Sequence, residues 1–287
     1  MRRWLVRALP LLAALLLSAS ALPASEAAAP GPDYTYATWN TQGGGPAKWN
    51  DGMAKLASDY DVVALEEAGG LNSFKAFVDA ETNCRPPTHV PDPGSPGEQL
   101  EMLDCNWEIP GTEPRKQRRL FFAVTKWTSS DNNTRSLAFI VNTDEVPLPA
   151  RGAFEYLPPR QDRDYYEGDR GLLRLKITGG PNVYAAHADA SPLGRNLMSL
   201  VQKARGDSDR DPWLMMGDFN LAPRYVRPMI GEGNQPELVK SGKGTHGHNP
   251  GPEKECDYMV SNDVPGYTAE RYPGRLQSDH FPVSFRR

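Results

Sequence analysis

Met215-Met216-Gly217-Asp218-Phe219-Asn220 and, sixty residues on, Gln277-Ser278-Asp279-His280-Phe281-Pro282-Val283 are the two phrases from which this chain is best read. The first ends the apolar run Trp213–Met216 in an acid and an amide. The second places an acid and an imidazole just before the apolar run Phe281–Phe285. The same arrangement recurs. Asn40 follows Tyr34–Trp39, Glu66 and Glu67 follow Val62–Leu65, His187 follows Val183–Ala186, and Asp257 precedes Tyr258–Val260. Each run has strand length and most are bounded by Gly, Pro, Asn or Asp. One Asp or Asn at a strand end is ordinarily a turn residue. Six strands ending this way, with two of the chain's five histidines among them, point to polar groups gathered on one rim.

Further strand-like runs are Leu120–Val124, Leu137–Val141 and Leu172–Ile177, and helical periodicity covers Lys48–Ser58, Ser73–Glu81 and Arg195–Ala204. Strands outnumber helices and do not alternate strictly with them, which predicts two packed sheets with helices outside and excludes a simple Rossmann sheet. No repeat and no linker divides the chain. Residues 82–118 show little periodicity and read as a long excursion tied by a disulfide. Cys84 and Cys105 flank its Pro-rich loop and are the expected pair, leaving Cys256 as a buried thiol; no cysteine spacing fits a zinc site.

The first 29 residues read as a secretory signal peptide, with Arg2, Arg3 and Arg7 before a short apolar stretch and small residues after it. The remainder, 30–287, reads as one domain, secreted and without a membrane-spanning run. Removal of the signal leaves a chain more acidic than the whole, whose net charge is −4. Such a protein gains no general attraction to a polyanion and must use a local patch. Arg115-Lys116-Gln117-Arg118-Arg119 is either that patch or a solvated loop. His246 and His248, two apart in a Gly-rich stretch, read as part of a flexible surface loop with a weak capacity for metal.

Taken in order, Thr38-Trp39-Asn40, Glu66-Glu67-Ala68-Gly69, Ala186-His187-Ala188, Gly217-Asp218-Phe219-Asn220, Asp257-Tyr258 and Ser278-Asp279-His280-Phe281-Pro282-Val283 resemble the motifs of the endonuclease/exonuclease/phosphatase superfamily, the DNase I-like fold. Within it, Thr38-Trp39-Asn40-Thr41-Gln42-Gly43, Lys48-Trp49-Asn50, Asn133-Thr134-Arg135-Ser136-Leu137-Ala138 and Arg170-Gly171-Leu172-Leu173 are similar to the nuclease subunits of cytolethal distending toxins. The resemblance implies a four-layered α/β sandwich of two mixed sheets flanked by helices. It implies a Mg²⁺-dependent phosphodiesterase, with Mn²⁺ or Ca²⁺ as alternatives, that nicks DNA, with or without toxin delivery subunits as partners. A phosphoinositide phosphatase or a sphingomyelinase-type enzyme would share the chemistry. A binding module without catalysis would have lost motif residues that are all present here.

Carried over residue by residue, the resemblance makes Glu67 the metal-holding carboxylate, with Asn40 and Asp279 beside it, since hard oxygen ligands suit Mg²⁺. Asp218 would orient or deprotonate the attacking water, and Asn220 would hold a phosphate oxygen or the metal. His280 would act as general acid or base with Asp257 behind it, and His187 would stabilise charge on the phosphoryl oxygens. Arg135 would grip the phosphate through its planar fork. Glu66, pointing to the opposite face if its strand continues, is not preferred. Asp189 adds a negative charge beside the proposed phosphate site, and Arg160 and Arg163 lie in an added polar loop.

Overall fold

Parallel strands need a long crossover, normally a helix, and two such crossovers organise this molecule. In the computed structural model, which describes residues 33–287 apart from 92–98, 113, 125–135, 160–169, 191–195, 210, 231–235, 248–252 and 263–265, β1 (Tyr36–Asn40) runs parallel to β2 (Val62–Glu66). Between them lie α1 (Pro46–Lys48), a π-helical turn (Trp49–Met53) and α2 (Ala54–Asp59). Pro46 opens this stretch, where its missing N–H costs nothing. In the same way β9 (Asn182–His187) runs parallel to β10 (Trp213–Asp218). Leu197, Leu200, Val201, Ala204 and Ser208 form the buried stripe of the helix near this crossover.

The remaining strands join antiparallel. An eight-stranded sheet has the order β13 (Thr268–Arg271), β14 (Val283–Arg286), β1, β2, β6 (Ser136–Val141), β5 (Gln117–Val124), β4 (Gln99–Glu108), β3 (Thr88–Pro91). A six-stranded sheet has the order β11 (Glu237–Val239), β12 (Asp257–Ser261), β10, β9, β8 (Leu172–Lys176), β7 (Phe154–Leu157). Strand parity sorts the side chains into layers. Leu173, Leu175, Val183, Ala185, Leu214, Met216 and Met259 join the core shared with the larger sheet. Their neighbours Leu172, Tyr184, Ala186, Trp213, Met215, Tyr258 and Val260 pack outward with the apolar stripe of Leu197–Ser208. On the larger sheet's far side, Trp49 and Phe74 pack edge-on and Phe74 stacks on Phe122. Helix, sheet, sheet and helix give the four-layered sandwich.

The excursion expected over 82–118 is not one. Thr88–Pro91 and Gln99–Glu108 pair with each other and extend the larger sheet. Alternation fails to mark Gln99–Glu108 because Met102 and Leu103 are both buried, one on each face. Cys84 and Cys105 are disulfide-bonded, and Cys256 is buried with its thiol free. No helix of the described residues is long and apolar enough to cross a membrane.

Candidate active site

Asn40, Glu66, His187 and Asp218 are each the last residue of their strands, β1, β2, β9 and β10. Parallel strands end together, so four polar side chains reach one rim, outside the carboxyl ends where open α/β sheets bind ligands. Register does the rest. Asp218 lies opposite His187 on one side and Asp257 on the other. All three share the parity of the inward-facing Val183, Leu214 and Met259, so they point between the sheets. Asn40 lies opposite Glu66.

Gly217 makes that register possible. Its φ is +155°, and a Cβ there would come within 1.8 Å of the Ala186 carbonyl oxygen. A second close approach fixes the Glu-Ala-Gly turn: added Cβ atoms on Gly44 and Gly69 would collide with Ala68 O and Gly44 O, at 2.2 and 2.3 Å. The turn ends β2 at Glu66, and Glu67 takes a left-handed conformation with φ 51°. Alternation therefore stops, and both glutamates serve the same rim. Left-handed backbone at a non-glycine residue is costly and gathers at functional sites. Here Thr41 Oγ1 and Gly43 N donate to Glu67 O and hold it.

The two imidazoles converge on one carboxylate oxygen. His187 Nε2 is 3.5 Å and His280 Nε2 3.7 Å from Asp218 Oδ2. His280 Nδ1 lies 2.9 Å from Asp257 Oδ2, and Trp39 Nε1 donates to His280 O. Ser278 Oγ donates to Asn40 O and accepts from His280 N, tying the second phrase to β1. Asn40 is a strut: its amide nitrogen donates to Asp218 Oδ2 at 2.9 Å and reaches Glu67 Oε1 at 3.5 Å, while its oxygen accepts from Gln42 N. Asn220, also left-handed, gives its backbone N–H to Asp218 Oδ1 and one side-chain N–H to Ala188 O. That commitment leaves its amide oxygen as the group best placed to meet a cation.

Electrostatics follow from burial. Burial, then the Asp257 charge, raise Asp218 to about 7. Burial alone would lower His280, but the charge and hydrogen bond of Asp257, with Asp218 and Asp279, outweigh it and raise the imidazole to about 9. Burial raises Glu67, and nearby Asp279 raises it further against Asn40, Arg170 and His280. Glu66 is fully buried, and burial with the Asp257 charge drives it well above the usual carboxyl range while Thr38 Oγ1 donates to it. Carboxylates crowded out of water with too little positive charge are a fit for a divalent cation. Glu67, with Asp279 and the Asn220 amide oxygen beside it, would hold it, and all are hard oxygen donors.

A model of the Endonuclease/Exonuclease/phosphatase family matches residues 37–280, from β1 through His280. The chain belongs to this family. Among curated protein sequences none matches it. Among solved structures, the cytolethal distending toxin of Haemophilus ducreyi superposes with a TM-score of 0.61 at 19% identity, over 88% of this chain and 98% of that one. CdtB, the biologically active subunit of cytolethal distending toxin, gives 0.63 at 23% identity, over 88% and 97%. D. rerio TDP2 complexed with single strand DNA product gives 0.55 at 12%, over 88% and 98%. At these identities the likeness is one of fold.

The family's rim in this chain holds residues that strand ends did not reveal. Lys48 donates to Thr41 O and Gln42 O and feels the charges of Asp279 and Glu67. Arg170 pairs with Asp189 at 3.2 Å, so the added acid beside the site is met by an arginine. Thr245 Oγ1 accepts from Cys256 N and Asp257 N, and Thr245 O accepts from Phe281 N, which joins the segments carrying Asp257 and His280. The stretch holding His246 is thus no loose surface loop. Its backbone pairs with Lys254, and the His246 ring stacks on His280. Only its position in a motif-free, Gly-rich stretch hid it.

The basic run is a correction of another kind. In the β5–β6 register Arg119 lies opposite Val141 and Val124 opposite Ser136, and Val141 lies opposite Val62, the start of β2. The run therefore sits at the end of the sheet remote from Glu66. Arg115 pairs with Glu108, Arg119 with Asp104, and Arg118 donates to Ala57 O and Asn142 Oδ1. It offers no patch to a polyanion at this rim. Arg135, His248, Arg160 and Arg163 lie outside the described residues.

Proposed function

We propose that this family member is a secreted, Mg²⁺-dependent phosphodiesterase that nicks DNA. One observation carries the reading of reaction type: two imidazoles reach the same oxygen of Asp218 while a buried carboxylate backs one of them. In-line displacement at phosphorus needs a proton taken from water, a proton given to the leaving alkoxide, and charge offset on the non-bridging oxygens. A divalent cation held by Glu67, with Asp279 and Asn220 beside it, would supply part of that offset. Asp218 accepts the water's proton. His280, kept protonated at neutral pH by Asp257, gives the proton to the leaving group. His187, on the other side of Asp218, faces the phosphoryl oxygens, and Arg170 and Lys48 add positive charge at the rim. General acid–base catalysis of this kind contributes about 10²–10⁴-fold.

DNA is favoured as substrate because the matched phrases are those of a nuclease subunit, and secretion because residues 1–29 carry a signal-peptide pattern. Purified protein should convert supercoiled plasmid to nicked circles in Mg²⁺, and EDTA or His187→Ala should abolish the conversion. Intact plasmid together with phosphate release from phosphoinositide vesicles would overturn the DNA reading and leave the site chemistry standing.

A further inference from the structure

Remote from the rim, a cavity of about 420 Å³ opens between the larger sheet and the loop 147–153. That volume is in the range of small-ligand sites. β4 and β5 present Asp104, Asn106 and Arg119 to it, on the face where Phe121 packs against Phe154 of the smaller sheet. Arg85, Thr143 and Arg151 complete its polar lining. Among the described residues that line it, three guanidiniums stand against one carboxylate. That is an excess of two positive charges, in a chain whose net charge is −4. Local excess of this kind draws anions that the whole molecule does not.

The guanidiniums are positioned. Arg119 keeps 20% of its side chain exposed and forms a two-pronged pair with Asp104, through Nε to Oδ1 and through Nη2 to Oδ2. Its guanidinium also lies over the Phe121 ring, 5.7 Å from the centroid. Arg85 Nη1 reaches Asp104 Oδ2 at 3.4 Å, and Arg85 N donates to Asp104 O. The residue before it, Cys84, is bonded to Cys105. The loop bearing Arg151 is pinned at both ends, where Pro147 O accepts from Thr178 N and Ala153 O from Lys176 N. A guanidinium has five N–H donors, so Asp104 orients two forks and uses only part of their capacity.

We propose that Arg85, Arg119 and Arg151 form a binding site for a small polyphosphate anion, either inorganic pyrophosphate or the phosphate chain of a nucleotide. Planar forks match phosphate oxygens in pairs, and the excess positive charge suits a ligand with two or more negative charges. Asn106 and Thr143 add neutral donors for the remaining oxygens. Forks held before the ligand arrives lose little freedom on binding it. A concave pocket takes a small molecule. A duplex would need a surface of unpaired cations, and the neighbouring Arg115 and Arg118 are engaged with Glu108 and with Ala57 O. The site does not depend on the hydrolase reading.

The test is calorimetric titration of the whole protein with sodium pyrophosphate and with ATP, in EDTA at physiological salt. Without a divalent cation the crowded carboxylates of the rim disfavour an anion, so saturable binding reports the pocket. One equivalent should bind. Tighter binding of ATP assigns the site to a nucleotide, and equal affinity to the inorganic anion. Arg85→Gln combined with Arg151→Gln leaves the Arg119–Asp104 pair intact and should weaken binding at least about tenfold, the least that one charge-assisted hydrogen bond contributes. In the wild type, the Nε–H resonances of Arg85 and Arg119 should move together during the titration, a measurement that needs no variant. Absence of saturable binding, unmoved arginine resonances, or wild-type affinity in the double variant would refute the site. The double variant should nick plasmid as the wild type does; a loss of nicking would overturn the small-anion reading by making the pocket a contact for DNA. A protein that binds pyrophosphate as described but never nicks DNA would refute the hydrolase reading alone.

Discussion

At the scale of single residues, the proton inventory of the rim turns on Asp257. Burial pushes the His280 imidazole toward its neutral form, and the charge and hydrogen bond of Asp257 chiefly oppose it. Because the net shift is upward, to about 9, the proposed acid is protonated through neutrality and is lost only as pH rises through that value. Asp257→Asn removes the charge but keeps the shape, leaving burial opposed only by Asp218 and Asp279. The alkaline limb of the pH–rate profile should move to lower pH. Activity at pH 8 should fall, by no more than the roughly 10²–10⁴-fold that general acid–base catalysis contributes. A profile whose alkaline limb stays in place in Asp257→Asn would show that His280 does not supply the proton.

At the scale of elements, the strands carrying the site were legible because each is a short apolar run with a polar terminus, as in Val183–His187 and Trp213–Asp218. Their convergence was legible only as a coincidence of ends. What joins them is register, which depends on backbone contacts that composition does not encode. Glu66 shows the limit. Its neighbour's left-handed turn breaks the alternation by which the two glutamates would have been separated, and no pattern of residue types announces a positive φ at Glu67. His246 escaped for the same reason, since its place against His280 is set by backbone bridges to Lys254 and to His280 itself. Gly217 tests the role of register. Any side chain there meets the Ala186 carbonyl in the β9–β10 ladder that sets Asp218 beside His187. Gly217→Ala should cost more than about 3 kcal/mol in chemical denaturation, through strain in two paired strands rather than loss of a contact. Wild-type stability in that variant would mean the ladder yields without harm.

At the scale of the whole molecule, the larger sheet separates function from reinforcement. The strands β1 and β2 carry the rim, whereas β4 and β3 lie at the far edge beyond β6 and β5. The disulfide Cys84–Cys105 ties the end of the short helix Ala80–Asn83 to β4, across a sequence separation of 21 residues. The basic run lies in β5, toward this edge and away from Glu66. Closing a loop of this length restrains the unfolded chain by about 3 kcal/mol. A domain of this size loses roughly 2–4 °C of Tm for each kcal/mol. Replacing both cysteines by alanine should therefore lower Tm by about 6–12 °C. Nicking below the new melting range should stay unchanged, because among the described residues no group at the rim is anchored by the bridge. A drop in nicking at temperatures where the variant is fully folded would show instead that the far edge reaches the site through the intervening strands, and that the sheet transmits strain rather than isolating it.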